Sequence, residues 1–375
     1  MTEFSEVDFR MMRRAFELAR LGVGQVSPNP LVGCVITDSN GQIIGEGSYL
    51  YDKVVHAEIV ALEQAGERAK GGTAYISLEP HAHTGRTPPC TDALIKAGIK
   101  RVVCPIEDPN PLVSGRGFEV LKSHGIEVCV GLLAEEAYRI NEKFFTWHRK
   151  KRPFIHLKLA ASLDGRISLK RSISTALTNS DALRRVHNLR HEYDAILVGS
   201  NTILVDDPLL TDRSGKPRHK KLVRIVLDNR LQTPINSKIV RTAREFPTLL
   251  ISNSNDEDRI KALEAEGVKI INRNAREICA VLKALYDLEI QSILVEGGAK
   301  VAGAFIDSRL VDKITFIFSP LIIGGVEAPV AIEGKGASSI KQAFKLKDLQ
   351  TIQYERDLEV TAYPAENDDL SADKT

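Results

Sequence analysis

Residues 78–90 read LEPHAHTGRTPPC, and residues 56–58 read His-Ala-Glu. The longer stretch leaves an apolar, β-branched run, TAYISLE, and enters CTDALIKAG, which has helical spacing. HAEIVALEQAGERA reads as a second helix that begins at the histidine. Imidazole and thiolate donors at such element ends, with a carboxylate two residues after the first donor, suit one kind of chemistry. A metal lowers the pKa of a bound water from 15.7 to roughly 7. The carboxylate stays off the metal and moves protons, and one coordination position stays open.

His56 is the first donor, and Glu58 faces the water. Cys90 opens a helix whose dipole favours thiolate. The zinc pattern of base-deaminating sites, His-x-Glu then Pro-Cys and a second Cys, puts thiolate after Pro80, where this chain has His81. Neutral imidazole in place of thiolate raises the charge of the centre by one unit and makes its water more acidic. It also reaches further from its Cα, so the loop must sit back. In an extended segment His83 shares a face with His81 and competes for the metal. The stretch is therefore either a metal site with one donor exchanged or a former site. Glu58 favours the first, having no use in a purely structural zinc site.

The 375 residues exceed a comfortable single core and imply two domains. Alternating strands and helices (RVVCPI, GRGFEVLKSHG and IEVCVG follow, after a hairpin of LVGCVIT and QIIGEG) give a layered α/β class with a mostly parallel sheet. An N-terminal helix over 8–21 is expected to bury Phe9, Met12, Phe16 and Ala19. The basic run HRKKRP at 148–153 reads as a solvated junction. Boundaries follow at 1–148, 149–365 and a polar, disordered tail at 366–375. In the second half FIHLKLA, DAILVGS, KLVRIVLD, TLLISN, SILVEGG and KITFIFS are strands apolar on both faces. A net charge of +2 and the lack of an aromatic-basic stripe speak against nucleic acid. No run is apolar over the ~20 residues that span a bilayer. Five scattered cysteines and a charged N-terminus without an apolar core suggest the cytoplasm. Assembly into a homo-oligomer stays open.

Several phrases together resemble a known family. SPNPLVGCVI (27–36), HAEIVAL, LEPHAHTGRTPPC and DPNPLVSGRG (108–117) are similar to the deaminase domain of the bifunctional riboflavin-biosynthesis deaminase/reductases. KLAASLDGRI (158–167), LRHEYDAILVGSNTILVDDPLLTDR (189–213) and ILVEGGAKVAGAFI (293–306) are similar to their reductase domain. The resemblance implies a cytidine-deaminase-like αβα domain followed by a dihydrofolate-reductase-like α/β domain. It further implies zinc-dependent deamination of 2,5-diamino-6-ribosylamino-4(3H)-pyrimidinone 5′-phosphate. NADPH-dependent reduction of 5-amino-6-(5-phosphoribosylamino)uracil would follow. Carried over, zinc falls on His56, His81 and Cys90, the proton shuttle on Glu58, and substrate contacts on Asn29 and His83.

In the second half the resemblance puts cofactor on Ala160, Ala176, Thr202, Asp206, Asn229 and the run Gly298, Ala299, Lys300, Val301, Ala302, Gly303, Ala304. Substrate falls on Ser174, Arg190, Leu210, Arg213 and Glu296. From the residues alone, Gly297-Gly298 after a strand lets a helix N-terminus approach a phosphate, and arginines suit the 5′-phosphate. No Gly-x-Gly-x-x-Gly occurs, in keeping with a reductase that is not Rossmann-type. The chain departs from the family at His81, at Tyr49, Lys53 and Val55 (where histidine, glycine and proline are usual), and at Ala176, a frequent tryptophan. Two rival readings are a reductase with an impaired deaminase domain and a nucleic-acid protein on a deaminase fold.

Overall fold

The computed structural model describes residues 3–52, 54–85 and 87–365. Lys53 and the tail expected at 366–375 lie outside the described residues. The chain divides into two compact units between Lys151 and Arg152, within the basic run.

In the first unit, α1 (Glu6–Arg20) starts at a capping box, with Ser5 accepting from the Asp8 N–H and the Asp8 side chain accepting from that of Ser5. Met11, Met12, Ala15, Phe16, Leu18 and Ala19 are buried, but Phe9 is 37% exposed. The apolar arc is centred nearer Ala15 than expected, and Phe9 falls at its edge. Then follow β1 (Gly33–Thr37), β2 (Ile43–Ser48), α2 (Ala57–Ala65), β3 (Thr73–Ile76), α3 (Cys90–Lys96), β4 (Arg101–Cys104), α4 (Arg116–Ser123) and β5 (Glu127–Val130). Two helices not read from the sequence, α5 (Ala134–Ile140) and α6 (Glu142–Lys150), complete the unit. The strand order is β2-β1-β3-β4-β5. Only β3, β4 and β5 are parallel, while β1 runs antiparallel to both its neighbours.

Helix α2 lies against β2 almost backbone to backbone. A Cβ on Gly45 would stand 2.1 Å from the Ala61 carbonyl oxygen, and one on Gly47 2.1 Å from that of Ala57. Alternation puts both glycines on one face of the strand, and that face carries the helix bearing Glu58.

The second unit contains β6 (Phe154–Ser162), α7 (Ser180–Glu192), β7 (Ala195–Gly199), α8 (Ser200–Asp206), β8 (Val223–Leu227), α9 (Lys238–Arg241), β9 (Thr248–Ser252) and α10 (Glu257–Ala265). It continues through β10 (Lys269–Asn272), α11 (Ile278–Asp287), β11 (Ser292–Val295), α12 (Ala299–Asp307), β12 (Lys313–Ser319), β13 (Leu346–Tyr354) and β14 (Asp357–Pro364). The sheet order is β10-β9-β8-β7-β11-β6-β12-β14-β13. From β10 to β12 every pairing is parallel, and the β13–β14 hairpin adds antiparallel strands at one edge. Because β11 inserts between β6 and β7, the loops leaving these strands diverge and open a crevice at their carboxyl ends. Along β6, Ile155, Leu157, Leu159 and Ala161 join the main core. His156, Lys158 and Ala160 therefore point to the opposite face. No helix among the described residues is long and apolar enough to cross a membrane.

Gly45→Ala and Gly47→Ala should each destabilise the first unit by about 1–3 kcal/mol, because a carbonyl of α2 must retreat. Denaturant unfolding measures this, and an unchanged midpoint would show that the helix retreats without cost.

Candidate active site

His56 is the N-cap residue of α2, in extended conformation. Cys90 is the first residue of α3, and His81 lies in the segment between β3 and α3. The donor atoms of all three lie within 4.8 Å of one another, close enough to share one ion. The rings of His56 and His81 stand 4.5 Å apart. His83 is exposed, with its ring 5.4 Å from that of His81, and does not belong to the donor cluster.

The electrostatics fit a cation. Burial, with His56 and His83 alongside, lowers the pKa of His81 to about 4, so its imidazole is neutral at pH 7 and able to donate. The Pro88 backbone hydrogen-bonds His81 and steadies its ring. Burial, then the Glu58 carboxylate, pushes the Cys90 thiol far above its usual range, and a dication would reverse that. Glu58 is 2% exposed, and its Oε2 has no hydrogen-bond partner among the described residues.

The loop that supports His81 is held by Glu79, the second residue before it. The Glu79 carboxylate accepts from the backbone N–H groups of Asp108 and Gly115 on Oε2 and of Gly117 on Oε1. Gly117 permits the approach, since a Cβ there would stand 2.0 Å from the Pro80 carbonyl oxygen. Asn29 is half-buried and donates from Nδ2 to the Tyr49 hydroxyl at 3.0 Å. Val55 exchanges two backbone hydrogen bonds with Leu50, closing a tight turn ahead of His56.

In the second unit, Arg190 on α7 reaches Glu296 at the end of β11 through Nε (2.7 Å) and Nη2 (3.0 Å), and donates from Nη1 to the Thr211 carbonyl. Burial pushes the Glu296 carboxyl up, but Arg190 and then Lys158 outweigh it and hold it below its usual range. Lys158 is itself buried, which lowers its pKa against the pull of Glu296. The sequence reading missed it. Its signal was a lysine in an otherwise apolar strand. His187, one turn before Arg190, is also nearly buried and feels Arg190, Arg213, Glu296 and Asp212.

The remaining candidates sort by what their side chains can still do. Gly298 caps α12, and a Cβ there would meet nothing within 4 Å, so the helix opens onto free space able to admit a phosphate. Gly297 and Gly199 let Val301 close in behind, with Cβ clearances of 2.6 and 2.9 Å. Further along the run, Ala302 is buried and Gly303 faces the Glu333 carbonyl oxygen, 1.2 Å from where a Cβ would stand. That leaves Gly298, Ala299 and Lys300 at the open end. Ala160 and Thr202 are half-buried, whereas Ser174, Ala176, Asp206 and Arg213 are exposed. Leu210 has φ 52° and a buried side chain, so only its backbone faces outward. Asn229 uses both ends of its amide internally, donating to Asn274 Oδ1 at 2.7 Å and accepting from the Ala275 N–H at 2.6 Å.

Comparisons with known proteins agree with both halves. Residues 5–106 match the cytidine and deoxycytidylate deaminase zinc-binding region, and residues 153–360 match the RibD C-terminal domain. The riboflavin biosynthesis protein RibD of Aquifex aeolicus is 42% identical over 342 residues, covering 91% of this chain and 94% of its own. That of Actinobacillus pleuropneumoniae is 41% identical over 344 residues, 91% of each chain. A solved structure of Acinetobacter baumannii RibD superposes with TM-score 0.86 at 34% identity, covering 96% of this chain and 99% of that one. The Thermotoga maritima diaminohydroxyphosphoribosylaminopyrimidine deaminase/5-amino-6-(5-phosphoribosylamino)uracil reductase gives 0.84 at 35% identity, covering 96% and 99%.

Burial pushes the Asp108 carboxyl up to about 7, with Glu79 adding to the rise and the Asn110 N–H opposing it. The unfolded chain loses this proton near its ordinary value of 3.8, while the folded chain keeps it to about 7. Stability therefore falls as pH rises through that window. Asp108→Asn keeps an acceptor for Asn110 without the charge, so its melting midpoint should gain on the parent's between pH 5 and pH 8. Parallel midpoints at every pH would contradict this.

Proposed function

The chain belongs to the bifunctional deaminase/reductase family of riboflavin biosynthesis, and on that premise we propose how its own residues divide the work. The enzyme hydrolytically deaminates 2,5-diamino-6-ribosylamino-4(3H)-pyrimidinone 5′-phosphate with zinc. It then reduces 5-amino-6-(5-phosphoribosylamino)uracil with NADPH. Zinc, when bound, supplies the Lewis acidity that makes a water nucleophilic near neutral pH. His56, His81 and Cys90 hold it, and Glu58 takes the proton from the water and delivers it to the departing amine. The observation that carries this assignment is the buried, unpartnered Glu58 Oε2 beside three converging donors. A relic would have no reason to keep an unsatisfied carboxylate oxygen, because burying one without a partner costs free energy. Asn29 and His83 border the pyrimidine.

In the second unit the open N-terminus of α12 takes a phosphate of NADPH, and Ala160, Thr202 and Asp206 flank the cofactor. Ala176 offers it no aromatic surface. Asn229 acts indirectly, by fixing the loop at Asn274 and Ala275. Glu296 and Lys158 face the sugar. Arg190 is committed to Glu296, which leaves the exposed Arg213 as the cation for the 5′-phosphate, with Ser174 and the Leu210 backbone beside it. The five cysteines are all free, which supports a reducing, cytoplasmic setting.

Purified enzyme should carry about one zinc per chain. His81→Ala should lose most of it and His81→Cys should keep it. Equal zinc in parent and His81→Ala would remove His81 from the donor set.

Glu58→Gln should slow ammonia release by ~10²–10⁴-fold while NADPH oxidation with the deaminated pyrimidine continues at the parental rate. Loss of both activities in folded protein would contradict the division of labour.

A further inference from the structure

Tyr49 stands where the two halves of the deaminase site meet. Its backbone N–H donates to the Val32 carbonyl at 3.1 Å, and its hydroxyl accepts from Asn29 Nδ2 at 3.0 Å. Main chain and side chain thus both tie it to the segment that carries Asn29. On its other side the ring meets the His56 imidazole edge-on, with centroids 5.3 Å apart and planes at 72°. Tyr51 packs edge-on against it at 6.4 Å, and only 9% of Tyr49 is exposed. A residue this enclosed has little rotamer freedom, so it can hold both of its neighbours in place.

We propose that Tyr49 is a positioning residue of the deaminase, its hydroxyl fixing the Asn29 amide for the pyrimidine while its ring edge braces the metal donor His56. The proposal rests on the reading of Asn29 as a substrate contact.

The chemistry follows from what an amide can offer. Asn29 has two N–H donors and an acceptor oxygen, and Tyr49 engages one N–H. The other N–H and Oδ1 remain as an adjacent donor and acceptor, the complement of a pyrimidinone ring edge, which itself carries N–H beside C=O. An Asn rotor fixed before binding loses less entropy when substrate arrives. This contribution is made equally to ground and transition state, so it belongs in KM rather than kcat. The brace on His56 acts differently. It holds an imidazole in the orientation that lets His56, His81 and Cys90 converge, so it belongs in metal retention. The two roles use different atoms of one side chain, which makes them separable by mutation.

Tyr49→Phe keeps the ring and removes the hydroxyl. KM for the diaminopyrimidine nucleotide should rise about 2- to 10-fold, with kcat for ammonia release within about 2-fold of the parent and zinc content unchanged. Tyr49→Leu also removes the ring edge, so the zinc-loaded protein should in addition lose metal faster to a chelator. The same substitutions are made in an Asn29→Ala background, where Tyr49→Phe should have no further effect on KM. Substrate affinity is measured in parallel by calorimetry in the Glu58→Gln background, which needs no turnover. A parent that binds the nucleotide but releases no ammonia would sink the assigned function and leave Tyr49 judged by affinity. An unchanged affinity in Tyr49→Phe, or an equal loss with and without Asn29, would overturn the positioning role. Chelator release from Tyr49→Leu at the parental rate would overturn the brace.

Discussion

Glu79 is 4% exposed and lies in the segment that follows β3 and leads, two residues later, to His81 of the donor cluster. Burial alone would raise its carboxyl strongly, and the N–H groups of Gly115, Asp108, Gly117 and Phe118 pull against that rise. Those of Gly115, Gly117 and Phe118 lie at the start of α4, where N–H groups have no helical partner, while that of Asp108 belongs to the loop before it. One carboxylate therefore settles two accounts, its own desolvation and the orphan donors of the helix, and so fixes where α4 sits against Pro80. Gly117 allows that approach to be close. The segment so held carries His81, whose ring stands 4.5 Å from that of His56 at the start of the helix laid against glycines. The centre is thus built from backbone proximity first and from donor chemistry second.

The second unit meets the same difficulty with opposite means. Its crevice buries Arg190, Glu296 and Lys158 together, and each steadies another electrostatically. Buried charges are tolerated when paired with good geometry, and the two-pronged Arg190–Glu296 contact supplies it. Arg190 and Lys158 both act on the one Glu296 carboxyl and hold it below its usual range, while burial lowers the pKa of Lys158 itself.

The sequence disclosed whatever depends on neighbours along the chain. His56 and Cys90 were legible as candidates because each stands at the start of a patterned helix, and His81 because it holds the motif's place after Pro80; the three do converge. Pairing across long separations was not. Strand β13 went unread because LKDLQTIQY is almost wholly exposed and carries no apolar face; only its partner β14 makes it a strand. Lys158 passed unread within the strand FIHLKLA, because its charged neighbours Glu296, Arg190 and Glu359 lie far from it in sequence. Phe9 was placed on the wrong side of the boundary because a stripe read from four residues fixes the angle of a helix poorly. Asn229 and Leu210 were read as contacts; the fold adds that the Asn229 amide also ties down Asn274 and Ala275, and that Leu210 packs its side chain in the core and turns its backbone outward.

The exchange at residue 81 is easier to understand from the protein than from the motif. Cys90 is buried with a carboxylate alongside, so its thiol is hard to ionise without a metal. A second thiol in the same pocket would face that burial and repel the first thiolate as well. His81 has already lost its proton at pH 7. A centre with His81 must expel one thiol proton to take up a metal, whereas a two-cysteine centre must expel two. Imidazole thus eases assembly of the site at neutral pH and leaves the bound cation less neutralised, which strengthens its pull on a water. That same gain in positive charge would make the water more acidic and so lighten the work of Glu58, the buried carboxylate beside the three donors that is not needed to hold a metal. The unpaired oxygen of Glu58 and the imidazole of His81 therefore belong to one electrostatic design.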